Sequence, residues 1–152
     1  MTPRTLYRLV AIAETVTWAL LITGLVLRAT ADLAIAVTIG GGIHGFVFLV
    51  YGATAILVAI NQRWPIGLAL AAVATAVIPF ATIPFDRFLE KHHRLDGAWR
   101  TDQTDDPRDA TWFDAMVRWM LRHPVILLAL VAATVVAVFA ALVIAGPPGG
   151  RD

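Results

Sequence analysis

The sequence predicts an all-α fold, a polytopic membrane bundle of four transmembrane helices plus an interfacial amphipathic helix, and three observations carry that expectation. Charged residues make up 15% of the 152-residue chain, against about a quarter in a soluble domain, and the mean hydropathy is +0.74. Fifteen of the 23 charged side chains fall between Asp86 and Arg122, leaving long apolar runs elsewhere. Four of those runs, Leu9–Leu27, Leu33–Ile60, Ile66–Phe85 and Val125–Ala145, reach the roughly 20 residues that a helix needs to cross a hydrocarbon core of about 30 Å. The chain divides on this reading into a three-helix membrane unit (1–89), a polar loop with its amphipathic helix (90–124), and a fourth span with a short tail (125–152).

The first span follows Arg4 and Arg8, as a signal peptide would, but Glu14 interrupts it and no small-residue cleavage site precedes a polar mature domain, so it reads as a membrane helix. The second run has 28 residues without a charge. That is about 42 Å of helix, long enough to require tilt, a kink or a projecting end. Gly40-Gly41-Gly42 is its weak point, and Gly41, Gly45 and Gly52 share a face that suits close helix packing. The third run starts after Trp64, an interfacial aromatic, and Pro65, which is tolerated in a first turn. Pro79 and Pro84 bend or end it, and Ala69–Ala76 offers small side chains for an internal contact.

Between Asp86 and His123 the chain turns polar. Within it, Thr111 to Arg122 has the period of an amphipathic helix, with Trp112, Met116, Trp119 and Met120 on one side and Asp114, Arg118 and Arg122 on the other. Thr111 and Asp114 resemble a capping box. Two tryptophans opposite two arginines, joined to a span by His123-Pro124, point to a helix lying in the membrane interface. The last span ends in Gly146-Pro147-Pro148-Gly149-Gly150, which cannot continue a helix. Four crossings place eight Lys and Arg on the side of the long loop against four on the side of the termini. This favours a multi-pass cell-membrane protein with loop 86–123 cytoplasmic and both termini outside.

Glu14 is the most informative residue, because an ionisable group inside a membrane helix is costly and faces protein or water. If the first two spans form a hairpin through Arg28–Asp32, Glu14 and His44 lie at depths that match within about one turn. A Glu14–His44 pair would offset the desolvation of both groups and could pass a proton. Thr17 and Tyr51 add hydroxyls to the two facing surfaces, making Glu14, Thr17, His44 and Tyr51 an intramembrane polar cluster. Glu90, His92, His93 and His123 lack metal-binding spacing and read as solvated helix ends. No phosphate-binding loop, nucleophile elbow, metalloprotease or dinucleotide signature is present, so no catalytic residue, metal or cofactor is assigned. The balance of 12 basic and 11 acidic residues offers no nucleic-acid-binding stripe.

Arg8-x5-Glu14-x2-Thr17, Gly42-Ile43-His44-Gly45-x2-Phe48-x2-Tyr51, Arg63-Trp64 and Ile78-Pro79-Phe80 together resemble the bacterial integral-membrane family known as domain of unknown function 3817. The resemblance runs from about Leu6 to Leu89. It implies a three-helix unit in which Glu14, His44, Gly45 and Tyr51 are family-marked positions, with no assigned activity. The fourth span and the acidic loop lie outside it. The family is frequent in actinobacteria, a source that high alanine, few lysines and no cysteine also suit. The expected function is non-enzymatic: an accessory subunit of a larger membrane complex or a homo-oligomer, working through helix packing in the lipid bilayer. The alternative is a proton-linked small transporter or channel that uses the Glu14–His44 pair.

Overall fold

The structure, a computed structural model, describes residues 1–146; the predicted helix-ending tail 147–150 and Arg151 lie outside the described residues. The chain is helical, with no strand among the described residues, and it folds as two compact units, Met1–Asp96 and Gly97–Asp152.

In the first unit, α1 (Pro3–Ala31) and α2 (Ala34–Asn61) form an antiparallel hairpin. Thr2 caps α1 by accepting the Thr5 N–H at 3.2 Å, and Pro3 occupies the first turn, where its missing N–H costs nothing. A two-residue link reverses the chain, with Asp32 in the left-handed region at φ 52°. The register follows from four facing pairs, which run from the turn outward as Gly24 with Ala36, Leu20 with Gly40, Thr17 with His44, and Tyr7 with Tyr51.

Two glycines let the hairpin close. A Cβ on Gly24 would lie 2.7 Å from the Ala36 carbonyl oxygen, and one on Gly40 would lie 3.0 Å from that of Leu20. Gly41 and Gly52 of the expected Gly41/Gly45/Gly52 face do not make this contact. Gly41 would meet only the Leu21 side chain, at 3.7 Å, Gly45 is half-buried, and Gly52 faces open space. Spacing identifies a row of small residues, but the register set by the Asp32 turn decides which row meets α1.

The expected third span is a broken helix. α3 (Ile66–Ala74) runs into a 3-10 turn (Thr75–Val77), the chain leaves helical geometry, and α4 (Thr82–Lys91) begins a new helix. Pro79 removes a backbone donor, and Phe80 stands in the left-handed region at φ 64°. The two halves do not continue in one direction. The Trp64 indole, just before α3, donates to the Arg94 carbonyl oxygen, just after α4, at 2.8 Å, and its ring lies 6.1 Å from that of Tyr7. Arg8 Nε donates to Asp86 at 2.9 Å, and Arg4 and Arg8 both bind Glu90. At the other extreme, the Trp18 indole donates to the Ala76 carbonyl oxygen at 3.1 Å, and Thr82 donates to that of Ala11 at 3.1 Å.

The segment therefore enters beside the N-terminal end of α1, turns near the middle of that helix and returns. It is a helical hairpin that doubles back beside α1 rather than one continuous helix. Its first arm, 66–77, rises only about 18 Å. Three helices, α1, α2 and α6, are long and apolar enough to cross a membrane, so the protein is a helical membrane protein without a fourth continuous spanning helix among the described residues.

In the second unit a 3-10 turn (Pro107–Ala110) leads to α5 (Trp112–Arg122) and α6 (Pro124–Ala145). Thr111 caps α5 by accepting the Asp114 N–H at 3.2 Å, and Pro124 takes the first position of α6.

The two close approaches are open to direct test. Gly24→Ala and Gly40→Ala should each lower thermal stability in detergent, by about 1–3 kcal/mol, since the facing backbone must move. Gly52→Ala has room and should leave the melting temperature unchanged or raise it.

Candidate intramembrane polar site

Six hydroxyl-bearing side chains, two tryptophans, the Glu14 carboxyl group and one imidazole stitch the first unit together along α1. Their sequence spacing is helical, so Tyr7, Ala11, Glu14 and Trp18 descend one side of α1 at intervals of three or four residues. Tyr7 meets α2, Ala11 and Glu14 meet α4, and Trp18 meets the 3-10 turn after α3.

At the outer level, the Tyr7 and Tyr51 hydroxyls are 2.7 Å apart and both residues are fully buried. Tyr51 donates to the Ala72 carbonyl oxygen at 3.1 Å, so Tyr7 supplies the proton shared between the two phenols. Thr75 also donates to Ala72, at 2.6 Å. Two hydroxyls thus converge on one carbonyl oxygen at the point where α3 gives way to its 3-10 turn.

At the middle level, Glu14 is fully buried. Its Oε2 lies 2.9 Å from the hydroxyl of Thr82, the first residue of α4, whose single proton a Glu14 carboxylate shares with the Ala11 carbonyl oxygen, and Thr15 lies 3.0 Å from the same hydroxyl. The carboxyl group therefore stands at the N-terminal end of α4, where the helix dipole favours negative charge. Oε1 has no hydrogen-bond partner.

At the inner level, Thr17 donates to the Glu14 main-chain oxygen at 2.9 Å and lies 3.1 Å from His44 Nδ1. With the Thr17 proton committed, Nδ1 carries the imidazole proton and donates to Thr17, which leaves Nε2 bare in the neutral ring. Trp18 packs on that ring at a centroid distance of 4.4 Å.

The expected direct Glu14–His44 pair is not formed. His44 finds Thr17, one turn nearer the loop, and Glu14 turns to Thr82 on α4. Matching depths in a two-helix hairpin could not anticipate a third element inserted beside α1. Tyr7 and Thr82 were missed by sequence reasoning, although Tyr7 sits at helical spacing from Glu14; Trp18, four residues after Glu14, was legible from that spacing. Asp86, expected at the start of the polar loop, and Glu90, expected at a solvated helix end, belong to α4 and bind Arg8; Asp86 is buried, with Oδ1 unpartnered. Trp64, expected in the interface, is buried against Tyr7. His92, His93 and His123 bond separately, to the Phe88 oxygen, Asp96 and the Trp119 oxygen.

The second unit carries a different kind of surface. Trp112, Phe113, Met116 and Trp119 of α5 are exposed, while Arg118 binds Asp109 and Arg122 binds Thr101 and Asp102. Arg100 pairs with Asp114 at 3.0 Å. Hydrogen bonds to Asp106 push the pKa of the Arg108 guanidinium above its ordinary value. The described arginines of this unit thus pair with its own aspartates.

Residues 4–91 match the family described as domain of unknown function (DUF3817), and the chain belongs to that family. It is 38% identical over 88 residues to membrane protein SCO5905 of Streptomyces coelicolor, a match covering 57% of this chain and 10% of that protein. It is 32% identical over 73 residues to the uncharacterized membrane protein YdzA of Bacillus subtilis, covering 48% of this chain and 76% of that relative. The chain thus spans a tenth of one relative and about three quarters of the other. No solved structure matches.

The connectivity of the site can be read by double-mutant cycles on unfolding in detergent. Thr17→Val with His44→Leu, and Glu14→Gln with Thr82→Val, should each be non-additive, by the ~0.6–1.7 kcal/mol measured for interhelical hydrogen bonds in membranes. Glu14→Gln with His44→Leu should come closer to additive; strong coupling in that pair would contradict the geometry.

Proposed function

We propose that this protein is non-enzymatic and works through helix packing, as a homo-oligomer or as an accessory subunit of a larger membrane assembly. One observation carries the reading. The family unit is a self-contained fold, and it makes up most of one relative yet a tenth of another. A module that recurs in both settings is built to sit against other membrane helices. Gly42 and Gly52 support this, since each would accept a Cβ without meeting any atom within 4 Å, leaving places on α2 where another backbone can approach. Native mass spectrometry from membranes, with crosslinking, should find oligomers or a co-purifying membrane partner. A strict monomer with no partner would refute it.

A proton-linked transporter or channel is the second reading, favoured by the buried, unpartnered Glu14 Oε1. It ranks lower because Thr17 stands where the proposed Glu14–His44 relay needs direct contact. Reconstituted flux that is pH-dependent and abolished in Glu14→Gln would reverse the ranking.

Taken as re-entrant, the doubled-back hairpin also revises the proposed membrane topology. With α1, α2 and α6 as the crossings, the N terminus, the 62–65 turn and the loop 92–123 share one side. Ten of the twelve Lys and Arg then lie there, with Arg28 and Arg151 opposite. The positive-inside rule makes that side cytoplasmic. The expected cytoplasmic loop is kept, the N terminus moves inside with it, and the C terminus stays outside. The exposed aromatic face of α5, one residue before α6, would rest on the cytoplasmic lipid boundary. Reporter fusions at the N terminus and after Asp105 should give the same sidedness, and a fusion after Arg28 the opposite; opposite signals from the first two would show that the hairpin crosses.

A further inference from the structure

A hydroxyl group donates one hydrogen bond and accepts two, and three oxygens lie within bonding distance of the Thr82 hydroxyl. The Ala11 carbonyl oxygen is 3.1 Å away, Glu14 Oε2 2.9 Å and the Thr15 hydroxyl 3.0 Å. A carbonyl oxygen only accepts, so Thr82 gives its one proton to Ala11. In the other two contacts Thr82 then accepts. Thr15 has a proton to give, and Glu14 has one only as a carboxylic acid. Both Glu14 and Thr82 are fully buried, where two oxygens facing each other without a proton between them gain nothing from solvent.

The alternative is a carboxylate. It spreads the single Thr82 proton over two acceptors, and its charge has no counter-charge, because Glu14 makes no ion pair among the described residues. On α1 itself, Arg8 is bound to Asp86 and Glu90, and the Trp18 indole, beside the carboxyl group, gives its N–H to Ala76. On α2, His44 faces Thr17, and Tyr51 is engaged with Tyr7, Ala72 and Thr75. On α4, the next ionisable group after Thr82 is Asp86, which has the same sign as a carboxylate. The N-terminal end of α4 attracts negative charge, yet no main-chain N–H there is bonded to Glu14; its contact is with the Thr82 hydroxyl. Oε1 completes the argument, since it has no partner. A bare oxygen is a heavy penalty for a buried carboxylate, whose charge it carries in part, and a lighter one for a neutral acid, where it is a carbonyl oxygen.

We propose that Glu14 is a proton-binding site: it holds a proton on Oε2, donates it to Thr82, and in that form seats the start of α4 against α1. Each of the three contacts then contains its own proton, with Thr15 and Glu14 donating to Thr82 and Thr82 donating to Ala11. The ligand is a proton, and Thr82 is its positioning residue. Every group in this count belongs to the first unit. The site is independent of the functions proposed above, because a packing module and a transporter can each carry it.

The chain contains two glutamates, Glu14 and Glu90, so a carbon-13 label on the glutamate side-chain carboxyl reports on the site with a single internal reference. Labelled protein reconstituted in lipid should give two NMR signals at neutral pH. Glu90, held by Arg4 and Arg8, should lie at the carboxylate position and Glu14 at the carboxylic-acid position. Glu14→Gln, whose amide N–H replaces the acid as donor, should remove the second signal and keep the melting temperature near that of wild type; if it fails to fold, Glu90→Gln assigns the signals by elimination. Thr82→Val should shift the Glu14 signal and leave Glu90 in place, with Thr82→Ala used instead if the valine variant fails to fold. Two carboxylate signals in the wild type overturn the proposal, as does an acid signal that survives Glu14→Gln. An acid signal unmoved by loss of the Thr82 hydroxyl overturns the bond to Thr82 and with it the seat of α4.

Discussion

The return of α4 onto the N-terminal half of α1 is the arrangement on which the rest of the first unit depends. It is held by charge at one end and by hydroxyls at the other. Arg8 reaches across to Asp86 and Glu90, and Thr82 fits between the Ala11 carbonyl oxygen and Glu14. Without that return, Asp86 would be a loop carboxylate, Glu14 would have no side-chain partner on a neighbouring helix, and the break after Val77 would have nothing to lean on. The bilayer enforces this economy, because a helix interrupted at membrane depth must have its freed polar groups satisfied by neighbouring side chains.

The hydroxyl contacts show how such satisfaction is distributed. Ala72 receives protons from Tyr51 and Thr75, Ala76 from the Trp18 indole, and Ala11 from Thr82. Each donor comes from a residue whose remaining surface is apolar or small, so the stitching adds little polar area to the unit. Glu14 is the exception. It brings a carboxyl group to a buried level, has one oxygen bonded and the other not, and stands beside the N-terminal end of a half-helix. Its cost has to be repaid by structure or by function.

The second unit manages its polarity by a different route. Its described arginines pair with aspartates of the same unit, and the aromatic side chains of α5 are turned outward. A face of this composition gains by contact with apolar groups at a lipid boundary rather than by attraction to anionic headgroups.

Much of this protein was legible in its residues. The membrane class, the all-helical fold, the extents of α2 and α6, the Thr111 cap of α5 and the family all follow from local information: run length, charge placement, helical period and short motifs. What tertiary structure decided is direction and pairing. Ile66–Phe85 has the length and apolarity of a crossing, and Pro79 and Pro84 mark a bend, but no local signal tells whether the chain continues or turns back. That depends on Arg8 finding Asp86 and Glu90 some eighty residues away. The pairing of Glu14 with Thr82 instead of His44, and the use of Gly24 and Gly40 instead of Gly41 and Gly52, have the same origin. Periodicity ranks the faces of one helix, whereas the partner of each face is set by the register and direction of the elements packed against it.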